Sequence, residues 1–173
     1  MAANAQTDGT VTMAAVGSGG DRDATAPGLQ INEGDSVTLT LTANGLTAGR
    51  VLGTLNYGGG TATYGQNQDY IGPNLGGAQS SFDMTHPTTT QAFTITTRDD
   101  SDPEGEETFV FSYGGPPAAL GATPATWSSG APQTITVTIL DDDGPPPGTV
   151  SFSAANDNGD RDPGTADITQ EQR

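Results

Sequence analysis

Apolar and polar residues alternate along several stretches of this chain. The cleanest is Ser36 to Ala43, SVTLTLTA, where Val37, Leu39 and Leu41 fall on one face and Thr38, Thr40 and Thr42 on the other. A period of two puts successive side chains on opposite faces of an extended chain, so each such stretch predicts a strand with one buried face. Gly9 to Ala15, Arg50 to Tyr57, Ser80 to Met84, the stretch around Phe93 and Ile95, the stretch around Phe109, Phe111 and Tyr113, and Thr134 to Ile139 read the same way. The segment VGSGGDRDATAPG interrupts the first strand before LQINEGD resumes extended structure, which predicts a first strand split in two. No window holds helical amphipathic spacing for three turns, and the whole predicts an all-β, antiparallel β-sandwich of seven or eight strands. Between Tyr113 and Gln133 the segment GGPPAALGATPATWSSGAP predicts a long loop. Its Trp127 is read as a cap on the bottom of the core, with an exposed sugar-stacking role as the alternative.

Composition sharpens this picture by exclusion. The 173 residues carry 25 Gly and 12 Pro, are 32% hydrophobic and contain no cysteine, which rules out disulfides and thiolate metal sites. A net charge of −16 repels phosphate, so nucleic acid is not a partner, and no apolar run reaches the length of a membrane span. The start MAANAQTDGT has neither a basic nor an apolar signal region, so any secretion signal is absent, removed or elsewhere in a longer chain.

The charge is concentrated at strand ends. Thr134 to Ile139 runs into Asp141, Asp142 and Asp143; two carboxylates roughly 5 Å apart repel by about 3 kcal/mol at an effective dielectric of about 20, so either an ion offsets that cost or the loop splays into water. In QAFTITTRDDSDPEGEETFVFSY, Asp99, Asp100, Asp102, Glu104, Glu106 and Glu107 separate two alternating stretches, which reads as a hairpin with an acidic tip. If the two acidic ends meet, they supply the six to eight oxygens Ca²⁺ prefers; solvated acidic loops are the alternative. His86 is the single histidine and lies in a Thr/Pro turn, so nucleophilic catalysis lacks a convincing base and zinc lacks its usual ligands. Mg²⁺ stays as the other divalent candidate.

Four motifs together resemble the Calx-β domain, the calcium-binding sandwich of sodium/calcium exchangers and bacterial surface proteins. They are INEGD at Ile31 to Asp35, GTATYGQNQDY at Gly60 to Tyr70, TRDDSDPEGEETF at Thr97 to Phe109 and TVTILDDDG at Thr136 to Gly144. The resemblance covers residues 9 to 144 and implies an immunoglobulin-like sandwich. It implies Ca²⁺ ligands at Glu33, Asp69, Asp99, Asp100, Glu104, Glu107, Asp141, Asp142 and Asp143, with Asp102 and Glu106 as second choices. It also implies that Tyr70 is a core residue beside a ligand.

An internal repeat is independent of that likeness. Gly148 to Asp162, GTVSFSAANDNGDRD, matches Gly9 to Asp23, GTVTMAAVGSGGDRD, without gaps and with eight identical positions in fifteen; DITQEQ then echoes LQINEG after a one-residue deletion. The expected organisation is a module at 1–144, a Pro-rich spacer at 145–147, and at 148–173 the opening strand of a second repeat or a donor strand. In the GDRD element the expectation is a turn in which Arg22 pairs with a nearby acid, not a metal site.

These readings predict a non-enzymatic, calcium-binding structural repeat of an extracellular adhesin or surface fibre, Ca²⁺ rigidifying the junction with the next module. Its partners would be neighbouring copies of the same module, and possible further partners are a surface glycan or protein. Two other functions stay open: a filament subunit joined by C-terminal strand donation, and a calcium-dependent glycan-binding module using Trp127, Tyr57, Tyr64 and Tyr70.

Overall fold

The computed structural model describes residues 8–23, 28–74 and 77–143. The spacer and the second copy of the repeat, including Gly148 to Asp162, lie outside the described residues.

Eleven strands build two sheets: β1 (Gly9–Gly17), β2 (Leu29–Asn32), β3 (Ser36–Asn44), β4 (Ala48–Asn56), β5 (Tyr70–Ile71), β6 (Gln79–Thr85), β7 (Thr90–Thr97), β8 (Glu107–Tyr113), β9 (Ala118–Thr123), β10 (Trp127–Ser129) and β11 (Thr134–Leu140). One sheet runs β10-β1-β3-β7-β5; the other runs β2-β11-β8-β4-β6, with β9 also on β4. The inward residues are those the alternation marks. Val37, Leu39, Leu41, Ile95, Phe109, Phe111 and Val137 are fully buried, and Phe82, Met84 and Ile139 nearly so. Tyr70 stacks on Phe109 with ring centroids 4.5 Å apart, and Phe109 meets Phe111 edge-on at 5.4 Å.

The first strand is divided as expected, and the two halves serve different sheets. β1 pairs antiparallel with β3, while β2 pairs parallel with β11. The Arg22 partner is Asp35, thirteen positions on, and Asp21 Oδ1 accepts from the Gln30 amide at 3.1 Å, so the GDRD turn ties the excursion to β2 and to the turn between β2 and β3.

The seven or eight antiparallel strands expected are eleven, with β1–β10 and β2–β11 parallel in otherwise antiparallel sheets, and two further expectations are corrected. The stretches around Phe93 and Phe109 do not form a hairpin: β7 lies in the first sheet and β8 in the second, so residues 98–106 cross the end of the sandwich. Alternation marks the buried face of a strand but not its lateral neighbours, and these are β3 and β5 for β7, and β11 and β4 for β8. The 19-residue loop holds two strands, β9 on β4 and β10 parallel to β1. Trp127 opens β10, packs against the core above Gly9, and donates its indole N–H to the Pro124 carbonyl at 2.6 Å. It is thus a packing residue at the end of the sandwich where β1 begins, as its reading as a cap anticipated.

Candidate metal centre

The strands deliver their acids to the opposite end. β1 runs toward that end, where Ser18 N bonds the Ser36 carbonyl at 2.8 Å and Thr97 N bonds the Asp35 carbonyl at 3.0 Å. Four segments converge there: the β2–β3 turn with Glu33, the approach to β5 with Asp69, the 98–106 crossing, and the residues after β11. Had β7 and β8 formed a hairpin, its acidic tip would have projected away from the sandwich. The crossing instead brings Asp100 to Glu33 and Asp143, and Glu104 to Asp69 and Asp141.

The carboxylates sort into two triads. Glu33, Asp100 and Asp143 each offer an oxygen within 4.8 Å of the other two, and so do Asp69, Glu104 and Glu107. Backbone contacts set these positions. Glu33 N bonds the Leu140 carbonyl at 3.1 Å, which joins the β2–β3 turn to the end of β11. Arg98 N bonds the Asp69 carbonyl at 2.9 Å, and the Thr63 amide donates to Asp69 Oδ2. Asp141 acts as a hub: Oδ2 accepts from Glu104 N at 2.7 Å and Oδ1 from Asp143 N at 2.9 Å, so one side chain reaches a residue of each triad.

Of the sequence-predicted ligands, six therefore stand in the triads. Asp141 holds the backbone between them. Asp142 accepts from Asn32 Nδ2 at 3.2 Å, beside the first triad, and Asp99 is exposed and packs against Gly34. Asp102 donates its amide to Asp100 Oδ1 at 3.0 Å, and Glu106 is exposed. Sequence reasoning missed Asn32 and Arg98. Arg98 donates to the Asn67 carbonyl at 3.1 Å and stands 3.8 Å from Asp100 Oδ2, a long, half-exposed pair that only partly neutralises the edge. Asp35, inside the INEGD motif, faces away from the triads in function: the Ser18 hydroxyl at 2.8 Å, the Asn32 amide and Arg22 hold its carboxyl below the usual range.

The triads are electrostatically unsatisfied. Burial, then Asp100, Asp141, Glu104 and Asp143, push Glu33 from its ordinary 4.5 to about 7. Burial, then the hydrogen bond and charge of Asp69, push Glu107 to about 7. Glu104 and Asp143 are raised by burial and by the surrounding acids. Because the folded-state values of Glu33 and Glu107 exceed the ordinary value, the folded protein holds more protons than the unfolded chain above pH 4.5. In metal-depleted buffer the urea midpoint should therefore fall as pH rises from about 5 through 7 to 8. A flat profile would show that neither burial nor the surrounding acids raise these two glutamates.

The Calx CBD2 domain matches with a TM-score of 0.55 over 77% of this chain and 86% of that one, at 14% identity. CBD12 from CALX1.2 matches at 0.51 over 76% of this chain and 44% of that one, at 20% identity. This is the Calx-β fold. A structure titled calcium binding domain CBD12 of CALX1.1 also aligns, at 21% identity and a TM-score of 0.46, over 62% of this chain and 38% of that one. No protein-family model and no curated protein matches the sequence. Within the Calx-β fold of this chain, Tyr57 and Tyr70 are enclosed, their hydroxyls bonded to backbone carbonyls, so neither offers a face to a sugar. No helix among the described residues is long and apolar enough to cross a membrane.

Proposed function

We propose that this chain is a non-catalytic, calcium-binding structural module of an extracellular adhesin or surface fibre. The observation that carries the reading is the pair of carboxylate triads at one end of the sandwich, with a glutamate in each pushed up to about 7. A site whose burial and crowded like charges together raise its pKa values is one that a cation relieves. Oxygen-only donors suit Ca²⁺ and not zinc, and their number and spread among four loops suit its flexible coordination better than the strict octahedron of Mg²⁺. Glu33, Asp100 and Asp143 would hold one ion and Asp69, Glu104 and Glu107 another. Bound Ca²⁺ supplies the positive charge that this end of the domain lacks. Asp141 holds the crossing against the end of β11 and so couples the two triads. The likeness of fold to the Calx domains CBD2 and CBD12 of CALX1.2 supports the reading.

The mechanism is mechanical. The chain leaves β11 at the acidic end, so stiffening the crossing, the β2–β3 turn and residues 141–143 together fixes the direction in which the following residues depart. Titration calorimetry of the full chain tests the proposal: Ca²⁺ should bind with at least one ion per triad and hold its sites against excess Mg²⁺. Absence of binding, or equal binding of both ions, would overturn it.

A further inference from the structure

The repeat at Gly148 to Asp162 has two possible destinations: the β1 slot of another copy of this same module, as in a filament, or a second module of its own. The contacts of β1 distinguish them. Much of what the second copy retains matches positions that any module of this fold requires. Gly9 lies under Trp127, where a Cβ would come within 2.5 Å of the indole, and Gly148 replaces it. Val11 is fully buried and Val150 stands for it. Thr12 Oγ1 accepts from Asn44 at 2.9 Å, and Ser151 keeps the hydroxyl. Gly20 has φ +83°, and a glycine, Gly159, stands at the matching position. The Asp21 carboxylate and the Arg22 guanidinium, both engaged in the described copy, return as Asp160 and Arg161.

Of the seven positions that differ, Met13 is buried and becomes Phe152, and three consecutive ones face this module's own Ile31 and Asp35. Gly17 becomes Asn156, yet a Cβ at Gly17 would come within 2.6 Å of Ile31 Cγ2, in a side chain with no exposure, and 3.0 Å from the Gly20 carbonyl oxygen. Ser18 becomes Asp157, yet Ser18 donates to Asp35 Oδ1 at 2.8 Å, so a carboxylate there would meet a carboxylate. Gly19 becomes Asn158, yet a Cβ at Gly19 would come within 2.7 Å of Asp35 Oδ2 and 2.5 Å of the Arg22 guanidinium. Overpacking and an unpaired like charge both destabilise, and here they coincide.

The residues after Asp162 change in step. In the register that matches DITQEQ to LQINEG, Thr169 stands for Ile31 and Arg173 for Asp35. In that register the Gly17 and Ile31 pair corresponds to Asn156 and Thr169, and the Ser18 and Asp35 pair to Asp157 and Arg173. We propose that Gly148 to Asp162 is the first strand of a second, non-identical module formed with the residues that come after it, and that the β1 slot of this module rejects it, so that copies of this chain do not link by exchanging that strand. The inference rests on reading the chain as a repeat module, but not on calcium, so a failure of Ca²⁺ binding would leave its test unaffected.

Two measurements on the full 173-residue chain decide it. Refolded from denaturant at concentrations up to millimolar, it should sediment as a monomer; concentration-dependent oligomers that vanish when residues 148–162 are deleted would overturn the proposal. The double variant G17N/S18D, which writes the second copy's residues into β1, should lower Tm by about 5 °C or more. An unchanged Tm would show that the slot accepts the second copy and would overturn it equally.

Discussion

In millimolar Ca²⁺ this protein should melt about 10 °C or more above its melting temperature in chelator. An ion bound only by the folded state stabilises it by about 2.7 kcal/mol at a hundredfold excess over Kd, and two occupied triads double that figure. For a domain of this size each kcal/mol moves Tm by about 2–4 °C. The effect should be larger at pH 8 than at pH 5, because protons on Glu33 and Glu107 compete with the metal. Differential scanning calorimetry with and without chelator gives the answer, and superimposed curves at pH 8 would remove the calcium reading.

The second large effect separates ligand loss from structural loss. Asp100→Asn and Glu107→Gln each remove one carboxylate from a different triad, and each should weaken Ca²⁺ binding at its own site by about 100-fold or more. The metal-free form of Asp100→Asn should nevertheless be at least as stable as the parent, since Asp100 is among the charges that raise Glu33, Glu104 and Asp143. Asp142→Asn, which touches Asn32 beside the first triad, should cost less affinity, and Asp157→Asn, in the second copy of the repeat, almost none. Calorimetric titration of the four variants beside their metal-free melting curves measures both quantities. Equal losses across all four would mean that binding follows overall charge and not the triads. A metal-free Asp100→Asn that melted well below the parent would mean that the cluster is held together by something other than a bound cation.

The extent to which the fold was legible in the residues is set by the information a period of two carries. Alternation in SVTLTLTA and in Thr134 to Ile139 dictates which side chains face inward, because side-chain direction in a strand is local geometry, and the buried residues are the ones it marks. The abrupt change from apolar alternation to Asp141, Asp142 and Asp143 likewise shows in sequence that one end of the sandwich is acidic. Composition alone supplies the exclusion of a thiolate site, since the chain has no cysteine, and the expectation that a net charge of −16 disfavours nucleic acid.

Lateral order is different, because the same inward face is compatible with either sheet. Only the assembled sandwich placed β7 beside β3 and β8 beside β11, and that choice turned an expected acidic hairpin into a crossing over the end of the domain. β9 and β10 were hidden for a related reason: Ala-, Gly- and Ser-rich segments have little strand tendency of their own and become strands on the edges that β4 and β1 offer. The sequence by itself determined the buried faces, the sandwich and the acidic end. The grouping of Glu33 with Asp100 and Asp143, and of Asp69 with Glu104 and Glu107, was decided by tertiary structure, since each triad joins segments far apart along the chain whose distances depend on which strands become neighbours.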